Sequence, residues 1–168
     1  MRRFHVVLAG IALSASIGFA QQAATGPYKV LKTAKVGGAG GFDYVYADVV
    51  GRRLYIPRGG TPAIVGTDAT LGRPAVPGRI TVFNLDTLEP AGEIDGVGGN
   101  GAAVDSKSGH GFTSSKPVSM FDTKTLKLIK TIDVGAIVPD GILFDAFNDR
   151  VYIFSHPTKD ATVIDSKQ

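Results

Sequence analysis

Three polar residues recur at one spacing. Asp43, Asn100 and Asp140 each stand five residues before an aspartate, Asp48, Asp105 and Asp145 in turn. Carboxylates and amides brought together at equivalent points can coordinate a hard cation or hold the polar groups of a ligand. The same residue types after glycine stretches also cap loop backbone, which requires no ligand. Arg58, Lys116 and His156 fall in a second set of corresponding loops and are of the kind that binds anions. His156 precedes Pro157 and has no second histidine at metal-ligand spacing, and His110 belongs to the other end of the repeat, so a zinc site is not expected. The chain has no cysteine, which excludes thiol nucleophiles, thiolate metal sites and disulfides. It also has no nucleophile-elbow serine, phosphate loop or dinucleotide fingerprint, and the Gly37–Gly41 run lacks the strand-to-helix setting such a loop needs. No catalytic residue is assigned, and the residues specify no cofactor.

What must position these groups is a repeat. The stretch from Ala47 to Pro57 returns from Val104 to Ser114 and again from Phe144 to Phe154. In each, an aspartate (Asp48, Asp105, Asp145) lies seven residues before an aromatic (Tyr55, Phe112, Tyr152). The pattern predicts a hairpin whose turn is set by the aspartate, with Arg53, His110 and Arg150 in one turn-flanking slot. A second predicted hairpin runs from Arg79 to Ile94, with its counterpart from Val118 to Ile132, each turning on an Asx and threonines. No part of the chain beyond the leader sustains a helical period, so an all-β fold of four-stranded antiparallel units is expected.

Units of this size are β-propeller blades. At VFNLDTL, MFDTKTLKLIKTIDVG and RVYIFSHPTKDATVIDSK the chain resembles the YVTN-type bacterial β-propeller repeat, including the YncE-like exported proteins. It departs from that pattern at Arg58, Ser115 and Ser155, where the family often has asparagine, so no functional asparagine carries over. The expected organisation is a lone fourth strand at residues 28–37, a blade at 41–97 with an insertion at 59–78, a blade at 98–137 and an incomplete blade at 138–168. The lone strand is expected because residues 30–37 match 128–135 almost position for position. About three and a half blades fall short of the roughly four to eight of closed propellers. The expected reading is part of a longer seven-bladed frame. A three-bladed ring and a six-bladed ring of two chains are the alternatives. Open blade faces would expose apolar surface and unpaired strand edges and favour self-association.

Residues 1–20 read as a secretory leader: a basic start with Arg2 and Arg3, an uncharged apolar stretch from Val6 to Ala20, and Gly18 and Ala20 before a cut at Gln21. The stretch is short for a membrane span. Without the leader the net charge falls from +3 to about +1, and no basic cluster remains, so nucleic acid is not an expected partner. A periplasmic or secreted location follows, with a propeller that displays loops to a small molecule or a protein. The long Gly-, Pro- and Thr-rich insertion Gly59–Gly78 is expected as a surface loop over the channel mouth. The alternative function is a fragment of a propeller enzyme, dehydrogenase-like or lactonase-like, with its site at that mouth.

Overall fold

The computed structural model describes residues 26–67, 71–135 and 138–167. The proposed leader lies outside them. Among the described residues there is no helix. Eleven strands form three antiparallel sheets. The first blade contains β1 (Tyr46–Asp48), β2 (Arg53–Arg58), β3 (Arg79–Asn84) and β4 (Pro90–Asp95), paired in that order. The second contains β5 (Ala102–Asp105), β6 (His110–Thr113), β7 (Val118–Asp122) and β8 (Lys127–Ile132). The third has three strands, β9 (Pro139–Asp145), β10 (Arg150–Ser155) and β11 (Asp160–Asp165).

The turns form as the residues dictate. Asp48 Oδ1 accepts from the Val50 and Gly51 N–H groups, Asp105 Oδ1 from Lys107 and Ser108, and Asp145 Oδ1 from Phe147. Each aspartate pairs across the ladder with its expected partner: Asp48 with Arg53, Asp105 with His110 and Asp145 with Arg150. Each turn closes on a residue in the left-handed region, Arg52 (φ 54°), Gly109 (φ 79°) and Asp149 (φ 56°). Only the middle one is glycine, so Arg52 and Asp149 each hold a conformation that costs a non-glycine residue about 1–2 kcal/mol. The second hairpins turn on Asn84 and Asp122, whose side-chain oxygens accept from N–H groups two and three residues on.

Alternation along the strands divides the apolar side chains between two seams. Tyr55, Ile80 and Val82 of the first blade meet Ala102, Val104 and Phe121 of the second. Phe112, Val118 and Met120, on the opposite face of the second blade, meet Val151 and Ile153 of the third. The first strands β1, β5 and β9 touch in sequence, and the outer strands β4 and β8 touch each other. This is radial stacking of blades.

One expectation differs from the structure. Residues 28–37 form no strand; β3 and β7 are already covered by β4 and β8, and the segment is not paired with β11, the third strand whose outer edge is open among the described residues. The 59–78 insertion is, as expected, an exposed loop outside the named strands, and isolated bridges draw its two arms together. It extends the β2–β3 hairpin in unbroken register: Arg58 lies opposite Arg79, Thr61 opposite Val76, and Ile64 opposite Arg73. Pro62, Pro74 and Pro77 cannot donate, so the bonded pairs skip to the residues between them. The result is a bridged surface loop with Ile64, Val65 and Leu71 exposed.

Candidate functional site

The connectors between blades and the β2–β3 and β6–β7 loops meet at one end of the sheets. A cleft of about 470 Å³ opens there. Its floor is formed by Gly59, Gly78, Gly96, Gly98 and Gly99. Its walls are Asn100, Ser114, Ser115, Ser119, Thr131 and the Lys116–Pro117 turn, with Leu128, Val138 and Pro139 as the apolar part. The glycine floor is required by close approach: a Cβ on Gly98 would lie 2.6 Å from the Arg58 carbonyl oxygen and 2.7 Å from the Gly78 Cα.

Asn100 is the junction of all three blades. Its carbonyl oxygen accepts from the N–H groups of Asp43 (3.1 Å) and Tyr44 (2.9 Å), at the entry to the first blade. Its side-chain Nδ2 donates to the Pro139 carbonyl (3.1 Å), at the entry to the third. Ser114 completes the knot: its hydroxyl accepts from the Gly101 N–H (2.8 Å) and its N–H donates to the Gly101 carbonyl (3.0 Å). A Cβ on Gly101 would stand 3.0 Å from both Tyr44 and Ile142, so the three innermost strands converge on that glycine.

The three entry residues are therefore neighbours, as their spacing predicts, but they do different things. Asn100 spends its amide donor on backbone, the capping role. Asp43 is exposed and Asp140 half-buried, and among the described residues neither carboxylate makes a hydrogen bond or ion pair. No group of three or more His, Cys, Asp or Glu among the described residues is placed to share a metal ion.

The basic residues also separate. Arg58 is folded back over its own blade: its guanidinium lies 4.9 Å from the Phe42 ring centroid and donates to the Gly38 carbonyl (3.3 Å). It clips the 38–42 segment down, which removes it from the set free to meet an anion. His156 is exposed and tied only through its backbone N–H to Val138. Lys116 alone of the three lines the cleft, exposed, and it is the one ionisable side chain in that lining.

Sequence reasoning missed Ser114, Ser115 and Ser119. The available signal was the run Thr113-Ser114-Ser115, where the sibling strands end in Ile56-Pro57-Arg58 and Ile153-Phe154-Ser155. The Ser115 hydroxyl is paired with Thr113 Oγ1 (2.6 Å) and donates to the Pro117 carbonyl (2.7 Å), which fixes the loop beside Lys116.

The opposite end of the sheets is bonded from blade to blade. The Ser106 hydroxyl donates to Asp48 (2.8 Å) and the Ser166 hydroxyl to Asp105 (2.7 Å). Arg53 donates to the Thr123 carbonyl, and His110 Nδ1 meets the Ser166 carbonyl at 2.8 Å, so that its Nδ1 carries the proton. Thus the shared slot of Arg53 and His110 is a cross-blade clasp. Burial pushes the Asp105 carboxyl up, but the Ser166 and Ser108 hydroxyls and the Lys107 and Ser108 N–H groups outweigh it and hold it below the usual carboxylate range. Tyr46, whose hydroxyl donates to the Val104 carbonyl across the first seam, has its pKa raised by burial and by Asp48 and Asp105 nearby.

Radially stacked antiparallel blades with loops gathered at one end define the class: the chain is a partial β-propeller. Among solved structures, hydrazine synthase of Kuenenia stuttgartiensis, a propeller-containing protein, matches it with a TM-score of 0.57 at 19% identity. The match covers 83% of this chain and 36% of that one. Identity at this level shows the fold alone. No family model matches the chain, and no curated protein matches it by sequence.

Proposed function

We propose that the chain is an exported, YVTN-type propeller that acts as a binding scaffold, and that its ligand sits in the cleft between the blade connectors. One observation carries this reading. The cleft is lined by the hydroxyls of Ser114, Ser115, Ser119 and Thr131, the Asn100 amide, glycines and the apolar Leu128, Val138 and Pro139, and it carries Lys116 as its single charge. Such a lining suits a small, oxygen-rich, anionic molecule: the ammonium attracts the charge, while hydroxyls and backbone groups hold the remaining oxygens. The Ser115 hydroxyl hands its proton to a carbonyl, an arrangement that shapes a loop and does not activate a nucleophile. The repeat motifs and the leader-like residues 1–20 support the family and the export.

Calorimetry with citrate and glucuronate, and with glucose as a neutral control, tests the site. The anions are expected to bind the unaltered chain and to lose at least about tenfold in affinity on Lys116→Glu, since one charge-assisted hydrogen bond contributes about 1.5–3 kcal/mol. Equal affinity in the two chains would remove Lys116 and the cleft from the proposal.

The likeness to hydrazine synthase favours a second reading, that this chain is one sector of a propeller enzyme. In that case the free carboxylates of Asp43 and Asp140 are the groups to hold a cation. A calcium-dependent rise in melting temperature that disappears in Asp43→Asn with Asp140→Asn would support it.

A further inference from the structure

At the turn end of the sheets the two seams are built alike, but only one of them is filled. In the second seam the Ser166 hydroxyl donates to Asp105 Oδ2, and the aromatic of the repeat is Phe112, which has no polar tip. By register the first seam has Thr123 in place of Ser166, Asp48 in place of Asp105 and Tyr55 in place of Phe112. There the Thr123 hydroxyl turns to the Gly109 carbonyl of its own blade (2.9 Å). Asp48 Oδ1 accepts from Val50, Gly51 and Ser106, while Oδ2 accepts from no group among the described residues. Asp48 is only 4% exposed. Tyr55 is 0% exposed, and its hydroxyl is buried without a hydrogen-bond partner. Two buried polar groups stand unanswered where the second seam has none.

A cavity of about 240 Å³ opens beside them, lined by Asp48, Gly51, Arg53, Tyr55, Ser106 and Lys124 among others. It shares no residue with the Lys116 cleft at the other end of the sheets. Its volume is several times the ~30 Å³ share of one water and falls below the roughly 300–1,000 Å³ of drug-sized sites. Gly51 keeps it open: a Cβ there would collide with Asp48 Oδ2, and the equivalent residues of the other two turns are Ser108 and Asn148. The lining carries both signs of charge. Arg53 is committed through Nη1 to the Thr123 carbonyl, whereas Lys124 is exposed and makes no side-chain hydrogen bond or ion pair among the described residues. Burial raises the pKa of Tyr55; the Arg53 guanidinium opposes that rise, and Asp48 and Asp122 add to it. The neutral hydroxyl therefore sits among these charges with a proton to donate. A simple anion would meet the buried Asp48 carboxylate, and a simple cation would meet Arg53 and Lys124. A molecule that carries both charges a few bonds apart satisfies each group.

We propose that this cavity is a second binding site, for the zwitterion of a small α-amino acid. The ammonium donates to Asp48 Oδ2, and the carboxylate accepts from the Tyr55 hydroxyl and from Lys124. Arg53 stays on the Thr123 carbonyl and adds its charge to the carboxylate side. The modest volume suits glycine, alanine or serine better than larger amino acids. A molecule so placed touches β1 and β2 of the first blade and the 122–125 turn of the second. It fastens the first seam as the Ser166 hydroxyl fastens the second, so its binding raises stability.

Calorimetry and thermal unfolding of the full chain with glycine, acetate and methylamine test the site. Glycine is expected to bind and to raise the melting temperature. Acetate and methylamine, which carry one charge each, are expected to bind at least about tenfold more weakly. Tyr55→Phe keeps the ring that Phe112 supplies at the equivalent position and removes only the hydroxyl. It is expected to lower glycine affinity at least about tenfold while the melting temperature without glycine does not fall. Lys124→Glu, on an exposed turn that the fold does not depend on, is expected to weaken glycine by a similar factor and serves if the first variant is unstable. No heat from glycine up to about 10 mM, acetate or methylamine binding as tightly as glycine, or glycine affinity unchanged in the folded variants would each overturn the proposal.

Discussion

The hydrogen bond from the Ser166 hydroxyl to Asp105 fastens the third blade to the second, and both residues are fully buried. Deleting either end therefore leaves the other without its partner, with no access to water. Ser166→Ala removes one donor. Asp105→Ala also frees the Lys107 and Ser108 N–H groups that set the turn, so it should be the more damaging change. A hydrogen bond to a charged group contributes about 1.5–3 kcal/mol, and a double-mutant cycle isolates the shared part. A coupling of about 2 kcal/mol is expected at neutral pH. With a urea slope of about 2 kcal/mol per molar, Ser166→Ala shifts the midpoint by about 1 M and Asp105→Ala by more. The carboxyl of Asp105 is held below the usual range in the fold, so its contribution is fully present above the ordinary aspartate value of about 3.9. It is lost as pH falls through the lower folded value. Urea titrations of the four chains at pH 7, 5 and 3 measure this. A coupling below about 0.5 kcal/mol at pH 7, or one that grows on acidification, would refute the blade-fastening role.

Two further perturbations follow from the packing. A Cβ on Gly111 would lie 2.1 Å from the Phe121 ring, so Gly111→Ala forces that buried ring to move and should cost about 1–3 kcal/mol, read from thermal or urea unfolding. Removing Ile64–Arg73 shortens the bridged loop while the β2–β3 pairs from Arg53 to Arg58 stay intact. Stability should change by no more than about 0.5 kcal/mol, while binding of a fluorescent apolar dye falls with the loss of Ile64, Val65 and Leu71 from the surface.

The fold was largely legible because its information is local and repeated. An aspartate two residues before the N–H groups it binds, an alternating apolar run and an Asx-Thr turn each write their structure within ten residues, and threefold recurrence removes the ambiguity of any one copy. Candidate site residues were legible only as positions. Spacing placed Asp43, Asn100 and Asp140 at the three blade entries, where the structure also has them. It could not show that the Asn100 amide is bound to Pro139, or that Arg58 lies over Phe42, because both contacts join segments with no fixed sequence separation. The insertion was legible as a surface loop, but its internal pairing was not. Proline and glycine signal irregular backbone, yet the bonded pairs fell on Thr61, Ile64, Arg73 and Val76, the residues between the prolines.

From the amino acids alone came the strands of the three blades and their turns, since hydrogen-bonding side chains and period-two burial act on near neighbours. Tertiary structure decided which polar groups remain free for chemistry. Lys116 faces the cleft while Arg58 and Asn100 are occupied, because a side chain's availability depends on what chain segments far away in sequence bring to it.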